Sequence, residues 1–209
     1  MRNKQNNLKN MLSDYYTEGS AEKVTAKLLS CSQYDNEILR VYRELGGILQ
    51  TYPVNPVATY DIVLDGLIIE LDEELHFNRY RRITLNSKVY EDINSFPLAR
   101  YKEYCEIFEQ RCLSAGSYGG KWTNKRCEEQ FGPAGENGDL SGNGSPRWKQ
   151  RAFYDYQKDI GCILLGQKLV RLSIYDKIET ENGFKQLGDI LEYNRTEYGE
   201  DLYRFISKY

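Results

Sequence analysis

Three carboxylates, Asp61, Glu70 and Asp72, stand in "TYDIVLDGLIIELDEELHFNRYR" (Thr59 to Arg81) where a plain hairpin would carry neutral residues. Asp65-Gly66 between two apolar runs is a strong signal for a two-residue hairpin loop, with both residues at positive φ. That loop pairs Leu64 with Leu67, Val63 with Ile68 and Ile62 with Ile69, and sets Asp61 directly opposite Glu70. Opposed carboxylates repel unless they share a proton or a cation lies between them. Oxygen ligands with room for water suit Mg²⁺ or Mn²⁺, whereas zinc favours sulfur or imidazole. Such an ion activates water and neutralises charge building on a phosphate, which is the chemistry of phosphodiester hydrolysis. The competing reading leaves Asp61 and Glu70 in solvent at strand ends beside basic side chains, and a three-residue loop would break the register.

The elements that must position these acids follow from periodicity. One hairpin face carries Tyr60, Ile62, Leu64, Leu67, Ile69 and Leu71 and is expected in the core; the other carries Asp61, Val63, Ile68, Glu70 and Asp72. From about Asn6 to Leu49 the pattern is helical, most clearly in "DNEILRVYRELGG", and a connector with Pro53 and Pro56 follows. "FPLARYKEYCEIFEQRCLSAG" puts Leu98, Tyr101, Cys105, Phe108 and Cys112 on one continuous helix face. A glycine-rich loop, "GENGDLSGNGSPRW", leads into a helix from Pro146 to Ile160. Ser145 is its cap, Gly161 its expected stop, and Trp148, Ala152, Tyr156 and Ile160 its buried stripe. "KLVRLSIYD", Lys168 to Asp176, alternates as a strand, and the Tyr- and Glu-rich remainder reads as one or two closing helices.

An apolar fraction of 40%, a charged fraction of 28% and 18 tyrosines over 209 residues describe a globular chain with one sizeable core. No apolar run approaches a bilayer span and the start lacks a secretory segment, so the expectation is a cytoplasmic protein without membrane association. Five irregularly spaced cysteines suit reduced thiols, and Cys105 and Cys112 on the apolar stripe behave as small hydrophobes ahead of zinc ligands. A formal charge of −3 argues against indiscriminate nucleic-acid binding and leaves the question to local clusters.

At the hairpin the chain resembles the PD-(D/E)xK nucleases, in the branch of very-short-patch-repair endonucleases. The residues that carry the resemblance are Asp61 on the first strand, Glu70, Asp72 and His76 in "IELDEELH", the helix from Pro146, and "KLVRLSIYD" as the last strand. The resemblance covers less than half the chain. Glu73 replaces the usual glycine, Asp72 stands at the motif lysine, and residues from about 86 to 144 have no counterpart.

The resemblance implies an α/β restriction-endonuclease-like fold, with a mixed sheet flanked by helices. An N-terminal helical segment over residues 1–50 packs on a nuclease domain over 51–209, with an insertion at about 86–144. It implies Mg²⁺ or Mn²⁺ on Asp61 and Glu70, with Asp72 as a third ligand, His76 as general base or leaving-group partner, and Lys149 in place of the motif lysine. The expected activity is endonucleolytic hydrolysis of DNA, a duplex ahead of a single strand. Arg79, Arg81, Arg147 and Arg151 are the expected DNA contacts, each weighed against a plain surface salt bridge. The alternative is a catalytically inactive nucleic-acid-binding subunit of the same fold. A third reading makes the Tyr-rich C-terminal helices an oligomer interface, a homodimer in the simplest case.

Overall fold

The computed structural model describes residues 2–55, 59–93 and 95–209; Pro56 of the expected connector lies outside them. In chain order the elements are α1 (Arg2–Leu12), α2 (Ala26–Ser30), α3 (Asp35–Glu44), β1 (Ile62–Leu64), β2 (Leu67–Asp72), α4 (Arg79–Thr84), α5 (Leu98–Ile107), α6 (Glu109–Gly116), α7 (Gly119–Trp122), α8 (Lys125–Phe131), α9 (Pro146–Leu164), β3 (Leu169–Ser173), β4 (Lys177–Thr180), β5 (Gly183–Gln186), α10 (Leu187–Glu192) and α11 (Gly199–Ile206). The fold is mixed α/β with a small mixed sheet and flanking helices.

The chain divides into two compact units, one of Met1–Glu22, Thr59–Glu73 and Gly166–Tyr209, the other of Lys23–Ala58 and Glu74–Leu165. Residues 1–50 are therefore not one segment: α1 belongs to the first unit, and α2 and α3 to the second.

In the sheet unit, β1 and β2 pair in the register that the two-residue loop dictates, Leu64 with Leu67 through Ile62 with Ile69. Gly66 takes a φ of 70° while Asp65 stays at negative φ, so one residue of the turn, not both, uses the left-handed region. β2 also pairs in parallel with β3, placing Arg171 beside Glu70 and Ser173 beside Asp72. A parallel partner needs a long crossover, and here that crossover contains most of the second unit.

The outer edge of β1 is covered by the chain after α1: the Gly19 N–H donates to the Val63 carbonyl at 3.1 Å and Asp65 N–H to the Thr17 carbonyl at 2.9 Å. A methyl at position 19 would press on the Leu64 carbonyl. Gly19→Ala is expected to cost about 1–3 kcal/mol, the usual penalty of overpacking, read as a lower midpoint in urea unfolding.

The closing segment departs from its helical expectation, because β4 and β5 form a hairpin before α10 and α11. Lys177 and Glu179 hide the strand by composition, but Ile178 and Thr180 alternate inward.

The helical unit is organised by α9, against which α2, α3, α4, α7 and α8 pack. Trp148, Ala152, Tyr156 and Ile160 are all buried, as their spacing predicts. Gly161 does not stop the helix, which runs on to Leu164; its missing side chain admits Val24 instead. The continuous stripe expected from Leu98 to Cys112 is broken at Phe108 into α5 and α6.

Candidate functional site

Both faces of β2 are buried, including the acidic one, with Glu70 at 3% and Asp72 at 1% exposure. These acids are therefore not a solvated strand face. Asp61 lies just before β1, half-buried, and the two strands are locked together through their carboxylates. The Asp61 N–H donates to Glu70 Oε1 at 3.2 Å and the Leu71 N–H donates to Asp61 Oδ2 at 2.9 Å. Gln5 of α1 adds a bond from its side-chain amide to the Asp61 carbonyl at 2.7 Å. Asp61 and Glu70 are thus linked just beyond the Ile62–Ile69 end of the ladder, each carboxylate accepting from a backbone N–H of the other strand's segment.

Strands β1 to β3 contain one basic residue, Arg171. Its Nη1 donates to both Asp72 oxygens, at 2.9 and 3.1 Å, and neither side chain is more than 1% exposed. Asp72, at the position of a motif lysine, is thus held by a guanidinium from the neighbouring strand. Arg171 escaped the sequence reading because nothing in local spacing gives the parallel register. The oxygen donors of Asp61 and Glu70 fit a hard divalent cation, in both number and type.

In the helical unit, His76 ends a 3-10 turn (Glu74–His76) packed on α9, and its Nδ1 lies 2.9 Å from Asp155 Oδ2. This pair sits in a cleft of about 450 Å³ whose lining also includes Arg126, Arg147, Arg151 and Lys158. Arg147 and Arg151, both expected as DNA contacts, share this cleft. Arg126 and Lys158 were missed, although Lys158 continues the α9 face marked by Arg147 and Arg151.

Residues 40–193 match a family of unknown function, DUF7255, and this span is more than half of the chain. The chain belongs to that family. The matched span contains the carboxylate pair, Arg171 and the cationic cleft. No curated protein and no solved structure matches the chain.

Other expected site residues of this family member are engaged elsewhere. Lys149 is buried and donates to Asn143 Oδ1 at 2.6 Å, with its Nζ 5.5 Å from the centre of the Tyr80 ring. Burial lowers its pKa below the ordinary lysine value. The Arg79 guanidinium is tied to Glu109 by two bonds, at 3.0 and 2.8 Å, and the residue's backbone N–H adds a third at 2.8 Å. Arg81 is a correction: α4 turns it into the core, where Nη2 meets Asp159 Oδ2 at 2.9 Å and Nη1 meets the Thr84 and Tyr90 hydroxyls. At 1% exposure it cannot contact DNA. Arg81→Met is expected to cost about 3–5 kcal/mol in urea unfolding by leaving Asp159 buried without its guanidinium.

The glycine-rich loop is folded rather than open. Gly135 N–H meets the Gly144 carbonyl at 2.9 Å, Asn143 Nδ2 the Phe131 carbonyl at 2.9 Å, and Ser145 Oγ the Trp122 carbonyl at 2.6 Å. Cys105 and Cys112 are buried, and burial pushes the Cys112 thiol up to about 12. Among the described residues no helix is long and apolar enough to cross a membrane.

Proposed function

We propose that the chain is a metal-dependent endonuclease of restriction-endonuclease-like fold that hydrolyses DNA phosphodiester bonds. The observation that carries this reading is the hydrogen-bonded link between Asp61 and Glu70 at one end of the β1–β2 hairpin, with Glu70 buried. Asp61 and Glu70 are assigned to Mg²⁺ or Mn²⁺, which when bound supplies a Lewis acid for the phosphate and its attacking water. Asp72, with both oxygens on Arg171, is assigned to hold that guanidinium rather than the ion. The order β1, β2, α9, β3, with β2 parallel to β3, also agrees with the resemblance. In the helical unit, Asp155 bonds His76, and the cleft arginines Arg147 and Arg151 are assigned to phosphates.

A second reading, a non-catalytic nucleic-acid-binding subunit, is favoured by Arg171 on Asp72 and by Lys149 on Asn143. Incubation with plasmid DNA in Mg²⁺, Mn²⁺ or EDTA separates the two. Metal-dependent nicking that disappears in Glu70→Gln supports the enzyme, and full nicking by that variant rejects the site. DNA binding with no cleavage of duplex or single strand supports the binder.

A further inference from the structure

The cleft along α9 has more positive charge than a helical core needs. Arg147, Arg151 and Lys158 stand on one face of the helix, at offsets of four and seven residues, and Arg126 faces them from the start of α8. Asp155 is the one carboxylate in the lining, and it is positioned on His76. Arg147 donates to the neutral side-chain amide of Gln150, which orients the guanidinium and leaves its charge in place. Arg151 donates to the Leu75 carbonyl at 3.3 Å. Gathering cations in one concavity is unfavourable by itself, and focuses a field that attracts anions.

The shape of the charge distinguishes among anions. At 1.5 Å per residue, Arg147 to Lys158 spans about 16 Å along α9. One DNA strand advances about 3.4 Å per phosphate, so this row runs beside about four or five phosphates, close to the number of cations. A single small anion would be matched by one converging cluster, not by a row. Asn124, exposed in the same lining, adds a neutral amide of the kind that bonds phosphate oxygens.

We infer that this cleft seats the phosphate backbone of one nucleic-acid strand, with Arg126 and Lys158 as contacts beside Arg147 and Arg151. The inference rests on the nucleic-acid part of the proposed function for its occupant, and not on catalysis.

The test is fluorescence anisotropy in EDTA, so that no cleavage intervenes, with labelled 20-nucleotide single-stranded and 20-base-pair duplex DNA over a range of NaCl. The wild type is expected to bind at least one of them with affinity falling steeply with salt. Each lost phosphate contact lowers the log–log slope by about 0.9 on duplex or about 0.7 on single strand. Arg126→Gln with Lys158→Gln is therefore expected to lower the slope by about 1.4–1.8 and to weaken binding at least tenfold at 0.1 M salt. Arg126→Lys with Lys158→Arg is expected to restore most of it.

Unchanged affinity and slope in the glutamine pair would overturn the inference, as would wild-type binding to tripolyphosphate but to neither DNA. Melting of each variant is recorded alongside. If the pair fails to fold, Arg126→Gln alone, at an exposed position, is expected to remove one contact's worth of slope, and an unchanged slope there is equally fatal. DNA bound in EDTA but uncut in Mg²⁺ removes the catalytic reading and leaves the cleft standing. Cutting with an unaltered slope in the variants removes the cleft alone.

Discussion

Under the proposed endonuclease function, Glu70→Gln is expected to lower metal-dependent DNA cleavage by about three orders of magnitude while the protein stays folded. Glutamine keeps the volume and an oxygen for the Asp61 N–H, so what is removed is charge. A bound divalent ion supplies several kcal/mol of transition-state stabilisation, and about 4 kcal/mol corresponds to a thousandfold in rate. Melting of both proteins in EDTA, recorded alongside, shows that the variant stays folded. Mg²⁺ or Mn²⁺ at a hundred times its Kd should stabilise the wild type by about 2.7 kcal/mol and the variant by almost nothing. A variant that keeps the full metal-induced rise would move the ion away from Glu70. A wild type whose melting ignores both ions would reject the metal reading altogether.

Arg171→Met is expected to cost about 3–5 kcal/mol in urea unfolding, because it leaves the Asp72 carboxylate buried without its guanidinium. The double variant Asp72→Asn with Arg171→Met should recover most of that loss, since replacing both charges leaves no ion stranded in a low-dielectric interior. A double-mutant cycle then gives a coupling energy of opposite sign to the single costs. The same pair bears on mechanism. Asp72→Asn that retains metal-dependent stabilisation agrees with its assignment to Arg171, whereas loss of that stabilisation would make Asp72 a ligand. A single Arg171→Met costing under about 1 kcal/mol would show that the pair does not hold the acidic face.

Much of this was readable from residue order. The two-residue loop and the alternation from Asp61 to Asp72 admit one register with a complete apolar face, because a slip by one residue would turn Ile62, Leu64, Leu67, Ile69 and Leu71 outward. The α9 stripe was equally legible, since Trp148, Ala152, Tyr156 and Ile160 recur at the helical period. Where expectation failed, the missing information was which segment packs on which. Gly161 looked like a stop because composition cannot show Val24 approaching it. The β4–β5 hairpin was concealed by lysine and glutamate, residues whose strand preference depends on their surroundings.

The sequence by itself therefore determined the register of the β1–β2 hairpin and the buried stripe of α9, both consequences of local geometry within one hairpin or one helix. Tertiary structure alone decided which charges compensate which. Arg81 and Arg147 are chemically alike, yet one is locked to Asp159 in the core and the other lines a cleft. Asp72 is answered by an arginine 99 residues away, because parallel pairing of β2 with β3 joins strands whose intervening chain folds elsewhere. Periodicity is written in neighbours along the chain. Charge balance in a buried site depends on neighbours in space.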